Sequence, residues 1–271
     1  MPQRPQRPKL GQNFLVSPAA QAAIADALGD LSQRTVLEIG PGRGAITTIL
    51  ARRARRLVAI ELDRDLTLRL RAQFADQPSV EILQQDVLAT DLSALRSESD
   101  SKLLIVGNLP YYITSDILLH LFAAHALIDR AVVMIQREVA GRVAAQPGTR
   151  DYGLLSATAQ LYARVETLFT LTPAAFSPPP QVHSTVLRLT MAPRFAELHL
   201  SPAAIDAFIA FLKSGFAQKR KMLAKNLRTA GYHPGRIAAA FSDAAINPQS
   251  RAEQLDLPAM AGLFRALAPA D

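Results

Sequence analysis

Short apolar runs and helical periodicities alternate along the first two thirds of the chain. Thr35–Ile39, Leu57–Ile60, Val80–Leu83, Leu103–Val106, Ala131–Ile135 and Val186–Leu189 are runs of four or five apolar or β-prone residues, each a predicted strand. Between them, residues 46–53, 65–74, 116–125 and 154–162 carry apolar side chains at helical spacing. Ser17-Pro18 marks an earlier helix start, with Ser as N-cap and Pro at the first helical position. Strands alternating with helices predict βαβ units and a mainly parallel sheet. After Pro193 the strand-like runs stop, and Ala, Leu, Phe, Lys and Arg recur at helical spacing. The expected architecture is a Rossmann-like α/β sheet domain over residues 16–193 and a small all-helical domain over 194–271, preceded by a basic arm at 1–15.

Composition narrows the chemistry. The 271 residues include no cysteine, which excludes disulfides, thiolate catalysis and cysteine-ligated metals together. His120 and His125, five residues apart, do not share a helix face for metal ligation, so no metal is expected. No apolar run approaches the ~18 residues of a membrane span, and Met1–Lys9 lacks the apolar core of a secretory signal. A cytoplasmic monomer is the expectation.

Charge is unevenly placed. Of the net +7, residues 1–15 hold +3, residues 16–190 are neutral, and residues 191–271 hold +4. A basic arm and a basic appendage flanking a neutral core point to a polyanionic partner, most simply nucleic acid. Lys219, Arg220, Lys221, Lys225 and Arg228 lie in a stretch with no acidic residue between Asp206 and Asp243. Helical spacing puts Lys221, Lys225 and Arg228 on one face, where they are candidate RNA phosphate contacts.

The candidate chemistry lies at the ends of the predicted strands. In an open α/β sheet, ligands sit beyond the carboxyl ends of the strands. The first strand runs into Glu38-Ile-Gly-Pro-Gly-Arg-Gly44, a G-x-G-x-G loop whose spacing suits S-adenosylmethionine better than a dinucleotide. Glu61 ends the second strand, where a carboxylate can accept from both ribose hydroxyls, and Asp86 follows the third, placed for an adenine amine. Asn108-Leu109-Pro110-Tyr111 follows the fourth. The exocyclic amine of a base is a poor nucleophile because its lone pair is delocalised into the ring. The Asn108 side-chain oxygen and the Leu109 carbonyl offer two acceptors that localise that pair on nitrogen. Pro110 stiffens the turn, and Tyr111 offers a stacking face.

Lys9-Leu-Gly-Gln-Asn-Phe-Leu15, the Gly40 loop, Asn108–Tyr111, Gln136-Arg-Glu-Val-Ala140 and Phe176-Ser-Pro-Pro-Pro180 follow one another in the order seen in the rRNA adenine N6-dimethyltransferases. The chain resembles that family from about Lys9 to Leu267, closest to its bacterial small-subunit members. The resemblance implies that Asn13 and Leu15 close over the methionine part of S-adenosylmethionine. It also implies that Gly40, Glu61, Asp86 and Asn108 contact this cofactor, and that Phe176 packs on the target base opposite Tyr111. The implied substrate is a pair of adjacent adenosines in the 3′-terminal hairpin of 16S rRNA, within a nascent small ribosomal subunit. A large-subunit rRNA adenine methyltransferase and a non-catalytic RNA-binding assembly factor are the alternatives. The chain departs from the family pattern at Gln181 and His183, where Lys and Asp are usual, and at Leu154.

Overall fold

The computed structural model describes residues 12–96 and 102–267. Most of the expected basic arm lies outside them. The elements in order are β1 (Phe14–Leu15), α1 (Pro18–Asp26), β2 (Thr35–Ile39), α2 (Thr47–Leu50), β3 (Arg56–Glu61), α3 (Arg64–Gln73), β4 (Val80–Gln84), β5 (Leu103–Asn108), α4 (Thr114–Ala123) and β6 (Ile128–Gln136). They continue with α5 (Arg137–Ala144), α6 (Leu154–Tyr162), β7 (Ala163–Leu171), β8 (Phe176–Ser177), β9 (Ser184–Met191), α7 (Ile205–Gly215), α8 (Leu223–Thr229), α9 (Pro234–Asp243) and α10 (Leu257–Leu267).

Seven strands form one sheet in the order β4-β3-β2-β5-β6-β9-β7. The first five pair in parallel, and β9 runs antiparallel to β6. All five residues of β2 are buried, as are the first five of β5. This is why these strands read as unbroken apolar runs rather than as an alternating pattern. Ile24, Leu28, Leu50, Leu57, Leu104, Val106 and Val132 form the core against α1, each contributing about 1.5–3 kcal/mol by leaving water. The strand order reverses between β2 and β5. That reversal is where an open α/β sheet leaves a crevice beyond its strand ends.

The closeness of β2 and β5 there depends on glycine. A Cβ on Gly107 would lie 2.7 Å from the Ile39 carbonyl oxygen, a backbone atom that cannot move aside. The sequence pattern ends this strand at Gly107, whereas the structure carries the pairing through Asn108.

Three features differ from the sequence expectation. The sequence pattern gives no sign of β7, because Arg164, Glu166, Thr167 and Thr170 break up any apolar run in this edge strand. β1 and β8 are two-residue strands paired with each other, too short to leave a periodicity. The chain also divides into two interleaved compact units, residues 1–140 with 166–191 and residues 141–165 with 192–271. The segment containing α6 therefore groups with the C-terminal helices, although it lies within the alternating part of the sequence.

The second unit is helical around an aromatic cluster. Phe208 and Phe264 meet edge to face at 5.4 Å, and Phe211 and Tyr232 at 5.9 Å. Buried Asn226 donates to the carbonyls of Gly215 and Gln218, at 2.6 and 3.2 Å, and so fastens the turn after α7. No helix among the described residues is long and apolar enough to cross a membrane.

Candidate active site

A cavity of about 300 Å³ opens beyond the carboxyl ends of β2, β3, β4 and β5. It brings together Asn13, Gly40, Glu61, Asp86 and the whole of Asn108–Tyr111. The positions gather because each strand ends on the same edge of the sheet, and parallel neighbours end in register: Ile39 lies opposite both Ile60 and Gly107, and Glu61 opposite Gln84.

The glycine loop forms the floor. Gly40, Gly42 and Gly44 all have positive φ, of 67°, 59° and 81°, a region costly for other residues. A Cβ on Gly40 would lie 3.4 Å from the Asn108 carbonyl oxygen, so the floor meets the Asn108 turn closely. The Gly42 amide donates to Glu61 Oε2 at 3.1 Å, and the Asp63 amide to Glu61 Oε1 at 3.0 Å. Two main-chain donors thus fix the carboxylate plane, and each oxygen keeps a lone pair for a further donor such as a ribose hydroxyl. Burial raises the Glu61 carboxyl above its ordinary value, with those amide bonds opposing the shift. Asp86 is exposed and caps the short turn at Val87–Ala89, accepting from the Leu88 amide at 2.9 Å through one oxygen. Its other oxygen remains an acceptor beside the cavity.

The Asn108 turn is held at several points. The Leu109 amide donates to the Met134 carbonyl at 3.0 Å, and the Thr114 hydroxyl to the Pro110 carbonyl at 2.9 Å. Tyr111 hydroxyl and Ser184 Oγ share a 3.1 Å hydrogen bond. The Asn108 side-chain amide donates to the Asn13 carbonyl at 3.1 Å.

Leu15 and Phe176 are not at the cavity. They face each other across the β1–β8 pair, 6% and 4% exposed, within the core that includes Ile24 and Leu104. Phe176 is thus a buried core ring in the structure and does not line the cavity beside Tyr111. The RNA candidates also shift. Lys219, Arg220 and Lys221 lie in the turn before α8, and only Lys225 and Arg228 are helical. Lys221 therefore shares no helix face with them, although all five are exposed.

Phe14 and Arg43 stand within the sequence motifs, but spacing assigns neither a role. The Arg43 guanidinium lies 4.2 Å over the Phe14 ring, and that ring lies 3.0 Å from where a Gly42 Cβ would be. The Arg43–Phe14 contact joins residues 29 apart in sequence, so no local pattern announces it. The sequence shows Glu38 only as part of the glycine loop. It is 2% exposed, and its Oε2 has no hydrogen-bond partner among the described residues. Burial pushes its carboxyl up to about 7, the Thr47 hydroxyl and amide opposing and Glu61 adding to the shift. Of the two departures in residues 181–183, Gln181 is exposed, and His183 acts through its carbonyl, which accepts from the Arg137 amide at 3.0 Å. Nothing in the structure explains Leu154, the first residue of α6. Among the described residues no group of three or more His, Asp or Glu is placed to hold a metal ion.

The family described as ribosomal RNA adenine dimethylase matches residues 4–268. A protein of Acidobacterium capsulatum named ribosomal RNA small subunit methyltransferase A is 61% identical, covering 96% of this chain and 91% of its own length. A protein of the same name from Koribacter versatilis is 52% identical, covering 96% and 93%. Among solved structures, the 23S rRNA methyltransferase ErmE superposes with a TM-score of 0.70 at 26% identity, over 94% of this chain and 99% of that one. A dimethyladenosine transferase from Plasmodium falciparum superposes with a TM-score of 0.75 at 22% identity, over 92% and 95%, a likeness of fold.

Proposed function

The chain belongs to the ribosomal RNA adenine dimethylase family, and from that premise we propose that it dimethylates N6 of two adjacent adenosines in the 3′-terminal hairpin of 16S rRNA, using S-adenosylmethionine. The observation that carries this reading is that a single cavity holds both a nucleoside-binding set, Gly40, Glu61 and Asp86, and the amine-accepting turn Asn108–Tyr111.

The residues present fit S-adenosylmethionine. Gly40 leaves backbone exposed at the floor, Glu61 presents two oriented oxygens to a ribose, and Asp86 keeps an acceptor for an adenine amine. When bound, this cofactor supplies a methyl group on a positively charged sulfur that leaves as a neutral thioether.

The target base leaves its stack at a cost of a few kcal/mol, offset by stacking on Tyr111, worth about 1–3 kcal/mol. Asn108 Oδ1 and the Leu109 carbonyl accept the two N6 hydrogens and turn the nitrogen lone pair toward the methyl. One N–H remains after the first transfer, so one acceptor still orients the amine for the second. After the second none remains, and the orienting bonds vanish. Each transfer forms one N–C bond and releases one proton to water. The chemistry is positioning, which holding the reactants in line can supply without a covalent intermediate.

Lys219, Arg220, Lys221, Lys225 and Arg228 supply phosphate contacts to the nascent small subunit in this reading, and the basic arm lies outside the described residues. In this reading the protein acts as a cytoplasmic monomer. The small subunit is preferred over the large because the small-subunit relatives are 52–61% identical, against 26% for ErmE. The test is incorporation of labelled methyl into small and large subunits from cells lacking the protein, with mapping of the modified adenosines. Label confined to the large subunit, or absent from both, defeats the reading.

A further inference from the structure

Tyr111 and Tyr112 are consecutive residues of one short 3₁₀ turn, Tyr111–Ile113. In such a turn successive side chains project about 120° apart. Tyr111 is anchored by Ser184 and half-buried. Tyr112 lines the same cavity yet is 62% exposed, more than any other large apolar side chain among the described residues. Its ring has no hydrogen-bond or aromatic partner among them. A large ring left in water at the rim of a built cavity, one residue from the amine-accepting turn, lacks a partner that the protein itself does not provide.

We propose that Tyr112 is a second base-stacking site, holding the nucleotide adjacent to the one being methylated. The proposal rests on the RNA-methylating function inferred above and deepens it. The occupant follows from continuity: a strand whose target base enters the cavity beside Tyr111 leaves its neighbouring base at the rim, within reach of the next side chain. A ring face reads no base edge, so it stacks on an adenine, methylated or not, with little discrimination. This suits an enzyme whose two targets are neighbours: the strand has a direction, so the ring holds one of them while the other is in the cavity, and its loss tells on the two sites unequally. Leu62, 50% exposed at the same cavity, continues the apolar rim.

The experiment compares wild type with Tyr112→Phe, Tyr112→Leu and Tyr112→Ala, on unmethylated small subunits and on an isolated RNA hairpin. KM for RNA, kcat, the ratio of modification at the two adenosines, and the affinity for S-adenosylhomocysteine are measured. The expectation is that Phe behaves as wild type. Leu and Ala raise KM for both RNA substrates roughly tenfold, the lower part of the range for removing one base stack, and skew the ratio of the two sites. Affinity for S-adenosylhomocysteine is unchanged, which also reports that the variants are folded. Unchanged KM and ratio in Tyr112→Ala overturn the proposal. A weakened S-adenosylhomocysteine affinity overturns it by assigning the ring to the cofactor. A KM raised on subunits but not on the hairpin overturns it by assigning the ring to a ribosomal protein. Wild type that methylates neither substrate is the separate failure of the functional reading.

Discussion

The Asn108 side chain is set in one orientation by the Asn13 main chain, through a 3.1 Å bond from its amide nitrogen to the Asn13 carbonyl oxygen. A carbonyl can only accept, so the nitrogen must face Asn13, and Oδ1 is left as the acceptor for a substrate amine. In the proposed reaction Asn13 would thus act through its backbone, by orienting the Asn108 amide.

Replacing Asn108 separates the two ends of that amide. Asn108→Ala removes the acceptor, and Asn108→Asp keeps an acceptor but has no N–H for the Asn13 carbonyl. Both are expected to lower kcat by about 10²–10³, the usual effect of losing one preorganised polar group, with RNA binding retained. Single-turnover transfer of labelled methyl, alongside filter binding of RNA, measures each. A normal transfer rate in Asn108→Ala removes the residue from the chemistry.

Gly42 and Phe14 are coupled in a way that stability measurements can isolate. An alanine at position 42 would have to adopt a φ of 59°, at about 1–2 kcal/mol, and would place its Cβ 3.0 Å from the Phe14 ring. Gly42→Ala is expected to destabilise the protein by more than the backbone strain alone. In the Phe14→Ala background the ring is gone and only the strain remains. Denaturant unfolding of both single variants and the double should give a total smaller than the sum, by about 0.5 kcal/mol or more. Strict additivity shows that the ring yields freely and does not clasp the glycine loop.

The sheet and its functional edge were legible because β2, β3, β4 and β5 are apolar runs whose polar ends, Gly40, Glu61, Asp86 and Asn108, fall on one edge. That geometry follows from strand parity and chain direction alone. What stayed hidden depends on long-range pairing. Leu15 and Phe176 are 161 residues apart in sequence, and their two-residue strands carry no period. The edge strand β7 mixes charged and apolar residues because much of it is only partly buried. Spacing puts Lys221 on a helix face, whereas α8 begins at Leu223 after a turn fastened by Asn226. A buried side chain thus decides where the helix starts, and spacing does not record it.

That turn yields a prediction about salt. Lys219, Arg220 and Lys221 are exposed together in it, with Lys225 and Arg228 on the helix that follows. If they meet phosphates, replacing Lys219, Arg220 and Lys221 by Gln weakens RNA binding. The slope of log affinity against log salt should also become shallower by about 0.7–0.9 for each phosphate that is no longer neutralised. Affinity titrations at several salt concentrations measure both. Weaker binding with an unchanged slope shows that these side chains serve RNA binding by something other than phosphate neutralisation.

Glu38 predicts how stability depends on pH. Its carboxyl is 2% exposed, and desolvation lifts it to about 7 from the ordinary 4.5, with Glu61 adding to the shift and Thr47 opposing it. Between these values the folded protein holds a proton at Glu38 that the unfolded chain has released. Unfolding therefore releases a proton in this window, and stability falls as pH rises through it. The stabilising contribution is complete below about 4.5 and is lost as pH passes the folded value near 7. A shift of this size corresponds to roughly 3 kcal/mol. Glu38→Gln keeps the shape without the titration, so its stability should fall less than wild type's between pH 5 and pH 8. Glu61, also raised and facing the same loop, contributes a parallel fall that both proteins retain. Denaturant midpoints at the two pH values test this, and equal falls in wild type and Glu38→Gln would show that Glu38 is already ionised in the folded state.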